Sequence, residues 1–150
     1  MNIAGIAAMQ PPQVKIFYHP EAKEMLAQVQ YGLEEEGVPF SCEEQKEYSS
    51  IVKLGFQAAE ASVLGVGVGI GQDQTLVLHY YRLHWDFPLF LLPGEDYIPQ
   101  LGRIIGSNAA RLVKGEPFKP LKFQEELTAE ENLVQLVTRL VYQILAEGRG

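Results

Sequence analysis

Apolar residues recur along the chain in two rhythms, every second position and every third or fourth, and the switches between them mark out elements. Val14-Lys15-Ile16-Phe17-Tyr18 is a short strand run that ends at His19-Pro20. From Glu21 to Glu36, Ala22, Met25, Leu26, Val29 and Leu33 recur at helical spacing, and Gly37 is the expected left-handed stop. Pro39-Phe40-Ser41-Cys42 reads as a second strand, and Tyr48 to Ser62 as a second helix with Ile51, Leu54, Ala58 and Ala61 on one side. Val63 to Ile70 and Thr75 to Tyr81 are two strands separated by Gly71-Gln72-Asp73-Gln74, a connection short enough for an antiparallel hairpin. After a loop punctuated by prolines, Ile98 to Lys114 is a third helix closed by Gly115. This order predicts an α/β layer with a mostly parallel sheet and one reversed strand.

The two ends differ in character. Thr128-Ala129-Glu130-Glu131 has the form of a capping box, and Leu133, Leu136, Val137, Leu140, Val141 and Ile144 then make a wide apolar stripe. A stripe of that width is expected to be buried, on this domain or against another chain. Met1 to Gln13 carry no charged side chain, and Ile3, Ala4, Ile6, Ala7 and Ala8 supply neither the basic region nor the apolar core of a secretory signal. A loosely held leader is the expectation there, stiffened by Pro11-Pro12 just before the first strand. No run of about 18 apolar residues exists, so nothing is expected to span a membrane.

Composition narrows the partners. With 150 residues and 47% apolar positions the chain has material for one domain with a sizeable core. Lys plus Arg number 12 against 19 Asp plus Glu, and the net charge of −7 disfavours duplex nucleic acid and anionic membrane surfaces. A cation site or a basic protein partner remains compatible. The lone cysteine, Cys42, excludes an internal disulfide and a thiolate-cluster zinc site, and fits a reducing cytosol.

Gly65-Val66-Gly67-Val68-Gly69-Ile70-Gly71 invites a phosphate-loop reading but fails on spacing. Counting from Gly65 or Gly67 puts Ile70 or Gln72 where a dinucleotide fingerprint needs its third glycine, and no Gly-Lys-Ser/Thr follows. Period two explains the run better: Leu64, Val66, Val68 and Ile70 share one strand face, and the glycines leave the other open to close backbone approach. His19, His79 and His84 share no metal-ligand spacing, and His79, inside a strand, reads as a hydrogen-bonded structural imidazole. There is no Gly-x-Ser-x-Gly elbow, and Cys42 has no nucleophile context, so no catalytic residue is expected.

One feature breaks a local rule. Glu34-Glu35-Glu36 fills the last turn of the first helix, where the negative end of the macrodipole disfavours acids by about 0.3–1 kcal/mol each. On a helical wheel Glu36 leans toward the apolar stripe while Glu34 and Glu35 point outward. The turn is either a solvated acidic end or a carboxylate surface for something positive, such as a divalent cation completed by a partner, because one carboxylate cannot hold Mg²⁺ alone. Arg111 and Lys114, at the end of the third helix, are expected to complement that helix's own dipole, and Ser107-Asn108-Ala109-Ala110 to permit close packing.

Gly32-Leu33-Glu34-Glu35-Glu36-Gly37-Val38-Pro39-Phe40 resembles the opening segment of the small subunit of the diol and glycerol dehydratase reactivating factors. Ser107-Asn108-Ala109-Ala110-Arg111-Leu112-Val113-Lys114-Gly115-Glu116-Pro117-Phe118 is similar to the closing segment of that subunit, almost letter for letter. Between them Gln57-Ala58-Ala59, the run around Leu64 to Val68, and Leu76-Val77-Leu78-His79-Tyr80 fall in matching order.

The resemblance divides the chain into a leader (1–12), an α/β domain like the dehydratase medium subunit (13–121) and a helical extension (122–150). It implies a single three-layer α/β/α domain with a mixed, mostly parallel sheet, here with an additional C-terminal helix. It also implies an accessory, chaperone-like role, without catalysis. The partner would be a large ATPase subunit of the actin/Hsp70 type, and the client the large subunit of an adenosylcobalamin-dependent dehydratase whose cobalamin has lost its adenosyl group. The small subunit would mimic the dehydratase medium subunit and let damaged cobalamin leave, binding no cobalamin stably by itself. Carried over by position, Glu35 reaches a Mg²⁺ at the interface with the large subunit, and Glu34, Glu35 and Glu36 form the partner-binding turn. The implied location is the cytoplasm, with a bacterial microcompartment as an alternative.

Two other readings stand beside it. One is the medium subunit of the dehydratase itself, although those subunits carry long N-terminal extensions and only thirteen residues precede the first strand here. The other is a free-standing small-ligand or nucleotide-binding α/β protein. The helix from Thr128 to Glu147 goes beyond the family pattern, in which chains stop soon after Lys-Gly-x-Pro-Phe, and it packs either in cis or in a homodimer.

Overall fold

Strand β1 (Val14–Tyr18) sits inside the sheet, with β2 (Phe40–Glu44) on one side and β3 (Val66–Ile70) on the other, both parallel to it. A computed structural model describes residues 11–95, 97–121 and 129–147; the leader up to Gln10 and the capping Thr128 lie outside them. β4 (Leu76–Tyr80) pairs antiparallel with β3, and β5 (Phe90–Leu92) antiparallel with β4, giving the order β2-β1-β3-β4-β5. Only β4 is reversed, so the sheet is mixed in the expected way. The apolar pattern does not predict β5: three residues between Pro88 and Pro93 are too few to show alternation, and the open edge of β4 recruits them.

The helices start and stop where caps allow. A 3-10 turn (Pro20–Ala22) precedes α1 (Lys23–Glu36), which ends at Gly37 with φ 73°. The second helix, α2 (Ile51–Ala61), begins later than its apolar pattern because the Ser50 hydroxyl accepts from Lys53 N at 3.1 Å and caps it. β3 begins at Val66 rather than Val63 because Ser62 to Gly65 forms a turn, closed by Gly65 N donating to Ser62 O at 2.9 Å. The third helix, α3 (Pro99–Lys114), closes on Gly115, again in the left-handed region. A fourth helix, α4 (Ala129–Glu147), lies in a second unit that begins after Lys119.

The α/β unit has three layers. On one face of the sheet α2 packs directly onto the glycines of β3: a Cβ on Gly67 would sit 2.1 Å from Ala59 N, and one on Gly69 2.8 Å from Gly55 N. Phe17, Leu54 and Ala58 fill the space beside them. Alternation turns Ile16, Val66, Val68, Leu76 and Leu78 to the opposite face, all buried, where α3 touches β3 and β4. α1 and α3 run side by side there, burying Met25, Val29 and Leu33 with Ile105 and Ala109.

Candidate functional site

The α1–α3 pair brings together the two segments singled out in the sequence. Both helices run in the same direction and approach closely at glycines. A Cβ on Gly32 would lie 2.1 Å from Arg103 O, and one on Gly106 would lie 2.0 Å from Val29 O. The buried Ser107 hydroxyl donates to Gly32 O at 3.4 Å. Parallel packing leaves both helix C-termini at one end, and their dipoles add to the negative charge of Glu34-Glu35-Glu36.

Cations from α3 and the segment after it gather around that end. Arg111 Nε donates to Glu36 Oε2 at 3.0 Å, and Lys114 Nζ donates to Glu36 Oε1 at 2.8 Å and to the Glu36 carbonyl at 3.1 Å. Lys119 Nζ stands 3.8 Å from the same carboxylate, and its backbone is pinned by Asn108, whose Oδ1 accepts from Lys119 N at 2.6 Å. The Glu36 side chain is only 11% exposed. The Lys114 ammonium, and then the Arg111 guanidinium, hold its carboxyl at about 2, well below the usual value; Lys114 is pushed up in return.

The three acids therefore have different fates. Glu36 is turned inward and consumed by an internal ion network. Glu35 is exposed and paired through Oε1 with Arg103 Nε. Glu34 is exposed with no ion pair among the described residues. The helical wheel anticipates this division, but not the cations, because nothing local to the turn points to Arg103 or Lys119. Arg111 and Lys114, expected to serve their own helix's dipole, put their charge on Glu36, more than seventy residues away. The spacing of a local pattern carries no signal for such a pairing.

The other candidates are structural. His79 is buried, with Nδ1 accepting from Tyr80 N at 2.9 Å and Nε2 donating to Trp85 O at 2.7 Å, which fixes its tautomer. His84 pairs with Asp86 on the surface. The Cys42 thiol is half-buried, accepts from Gln30 and is pushed up by burial, the opposite of an activated nucleophile. The glycine face of β3 is filled by α2 and has no room for a phosphate. A shallow cavity of about 410 Å³ is lined by Tyr48, Ile51, Gln72 and Asp73, and Asp73 Oδ1 is engaged in its own turn by Thr75 N. Among the described residues no group of three or more His, Cys, Asp or Glu is placed to hold a metal ion, and no helix is long and apolar enough to cross a membrane.

Known proteins share both the sequence and this architecture. The family described as dehydratase medium subunit matches residues 11–119. The propanediol dehydratase-reactivating factor small subunit of Salmonella typhimurium is 39% identical over 111 residues, spanning 73% of this chain and 92% of that protein. Among solved structures, a diol dehydratase-reactivating factor complexed with ADP and Mg²⁺ superposes with a TM-score of 0.66 at 36% identity, covering 73% of this chain and 99% of that one. A glycerol dehydratase reactivase gives a TM-score of 0.69 at 32% identity, covering 75% of this chain and all of that one.

Proposed function

Because this chain belongs to the dehydratase medium-subunit family, we propose that it is the small, non-catalytic subunit of a reactivating factor for an adenosylcobalamin-dependent diol or glycerol dehydratase. The observation that carries the reading is coverage: the α/β unit aligns with 92% of a reactivating-factor small subunit and with 99% or more of two solved reactivase chains. The chain pairs with a large subunit that hydrolyses ATP. It uses its likeness to the dehydratase medium subunit to displace that subunit from the client's large subunit, and damaged cobalamin leaves. It holds neither nucleotide nor cobalamin stably alone, in keeping with a glycine run closed by α2. It acts in the cytoplasm or inside a bacterial microcompartment.

The contact with the large subunit runs through the Glu34–Glu36 turn. Glu35 offers one exposed carboxylate with one oxygen held by Arg103, and among the described residues no group of three or more His, Cys, Asp or Glu is placed to hold a metal, so a Mg²⁺ here would need oxygens from a partner. The ion would neutralise carboxylates facing each other across the interface. Glu36 positions the turn by anchoring it to α3, and Glu34 lines the contact.

Titration of this chain into a reactivase-type large subunit tests the reading. A stable complex is expected with Mg²⁺ present, and Glu35→Ala should weaken it about tenfold or more, with thermal unfolding unchanged. Unchanged affinity in that variant overturns the metal bridge alone. No complex at any Mg²⁺ concentration, with incorporation instead into an active dehydratase, favours the second reading, the medium subunit itself, which the family description also fits.

A further inference from the structure

Helix α4 carries large apolar side chains on its surface. Val134, Leu136, Val137, Leu140, Val141, Ile144 and Leu145 are all about half exposed or more, up to 65% at Ile144. At 100° per residue these positions span about half the helix circumference. The rest of the surface is polar yet nearly uncharged: from Asn132 to Ala146 the one charged residue is Arg139.

Within the apolar band the residues follow a heptad. Leu133 and Leu140 fall at d, Val137 and Ile144 at a, the combination of γ-branched and β-branched residues that suits two helices packed knobs-into-holes. The flanking positions, Val134, Leu136 and Val141, are apolar too. With no charge at those places, two identical copies packed along this band meet no like-charge repulsion. At their observed exposures the seven residues leave roughly 700 Å² accessible per copy. A symmetric pair that covered the whole band would bury at most about 1,400 Å², against the roughly 1,200–2,000 Å² of a specific interface.

We propose that α4 is a self-association element, packing lengthwise against α4 of a second copy of this chain. It follows the family-matched segment, which ends at residue 119, and the proposal does not depend on the reactivating-factor reading. Light scattering on the full chain at tens of micromolar is expected to give a mass of two or more copies of the 16.8 kDa chain. Leu140→Glu should give a monomer with the melting of the α/β unit unchanged, and Arg139→Glu, on the polar face, should keep the wild-type mass. A wild-type monomer at every concentration overturns the proposal, as does a Leu140→Glu variant of unchanged mass. If Leu140→Glu instead lowers the melting temperature of a monomeric wild type, α4 packs in cis. If a monomeric wild type binds the large subunit in a Leu140-dependent way, the face belongs to that partner; either result rejects self-association.

Discussion

Glu36→Gln is expected to cost about 2–3 kcal/mol of unfolding free energy at neutral pH, the largest loss expected from any single charge among the described residues. The reason is the network at the joined ends of α1 and α3. The carboxyl of Glu36 sits at about 2 against an ordinary 4.5, first because Lys114 donates to it and then because Arg111 does. A carboxylate depressed in this way stabilises the fold at every pH above its unfolded value. The contribution is lost as the pH falls from about 4.5 to about 2, the window between the two values. The amide keeps the shape and one acceptor but removes the charge, leaving Arg111 and Lys114 facing each other at a half-closed site. Urea unfolding at a series of pH values should show wild type and variant separated at pH 7 and converging near pH 2. A constant separation across that range would show that the loss is steric and not ionic.

Gly106→Ala should cost more, about 3 kcal/mol or above. Intrinsic propensity pulls the other way, favouring alanine in a helix interior by about 1 kcal/mol. The contact decides the sign. The new Cβ would stand 2.0 Å from Val29 O and 2.9 Å from Val29 C, backbone atoms of α1 that cannot move without the helix. Relief requires α1 and α3 to separate, and that separation pulls Arg111 and Lys114 away from Glu36. The variant should therefore show both a lower denaturation midpoint and a weakened acid dependence between pH 4.5 and 2. An unfolding free energy equal to wild type would mean that the helices can part at no cost, and would remove the close crossing as the device that sets the site.

These two residues also show how far the sequence could be read. Helical and alternating patterns identify three helices of the α/β unit, four of its strands, the hairpin and the last helix, because each rests on repeated burial of one face. The glycine run is legible for the same reason, since Val66, Val68 and Ile70 are buried on one side and the glycines admit α2 on the other. β5 has no such pattern and exists through its pairing with β4. At the candidate site, the wheel separates inward Glu36 from outward Glu34 and Glu35, yet nothing local links them to Arg103, Arg111, Lys114 or Lys119. Those partners arrive only because Gly32 and Gly106 let two helices distant in sequence lie in register. Long-range complementarity of this kind is a property of the packed pair, not of either helix.

The wide stripe of α4 is a different case. The pattern identifies the helix and its apolar side, and the expectation of burial follows from ordinary energetics. Leu136, Val137, Leu140, Val141 and Ile144 are nevertheless exposed in the single chain, and the proposed pairing with a second copy would cover them.

As part of a reactivating factor, the role proposed above, this chain would serve a cobalamin enzyme damaged at its cofactor. A dehydratase holoenzyme inactivated by loss of the adenosyl group tests that role most directly. Recovery of activity would be followed after adding this chain, a reactivase-type large subunit, ATP, Mg²⁺ and fresh adenosylcobalamin. Recovery is expected with all components and little when this chain is omitted, with no ATP turnover by the chain alone. Full recovery without this chain, or ATP hydrolysis by the isolated chain, would contradict that role.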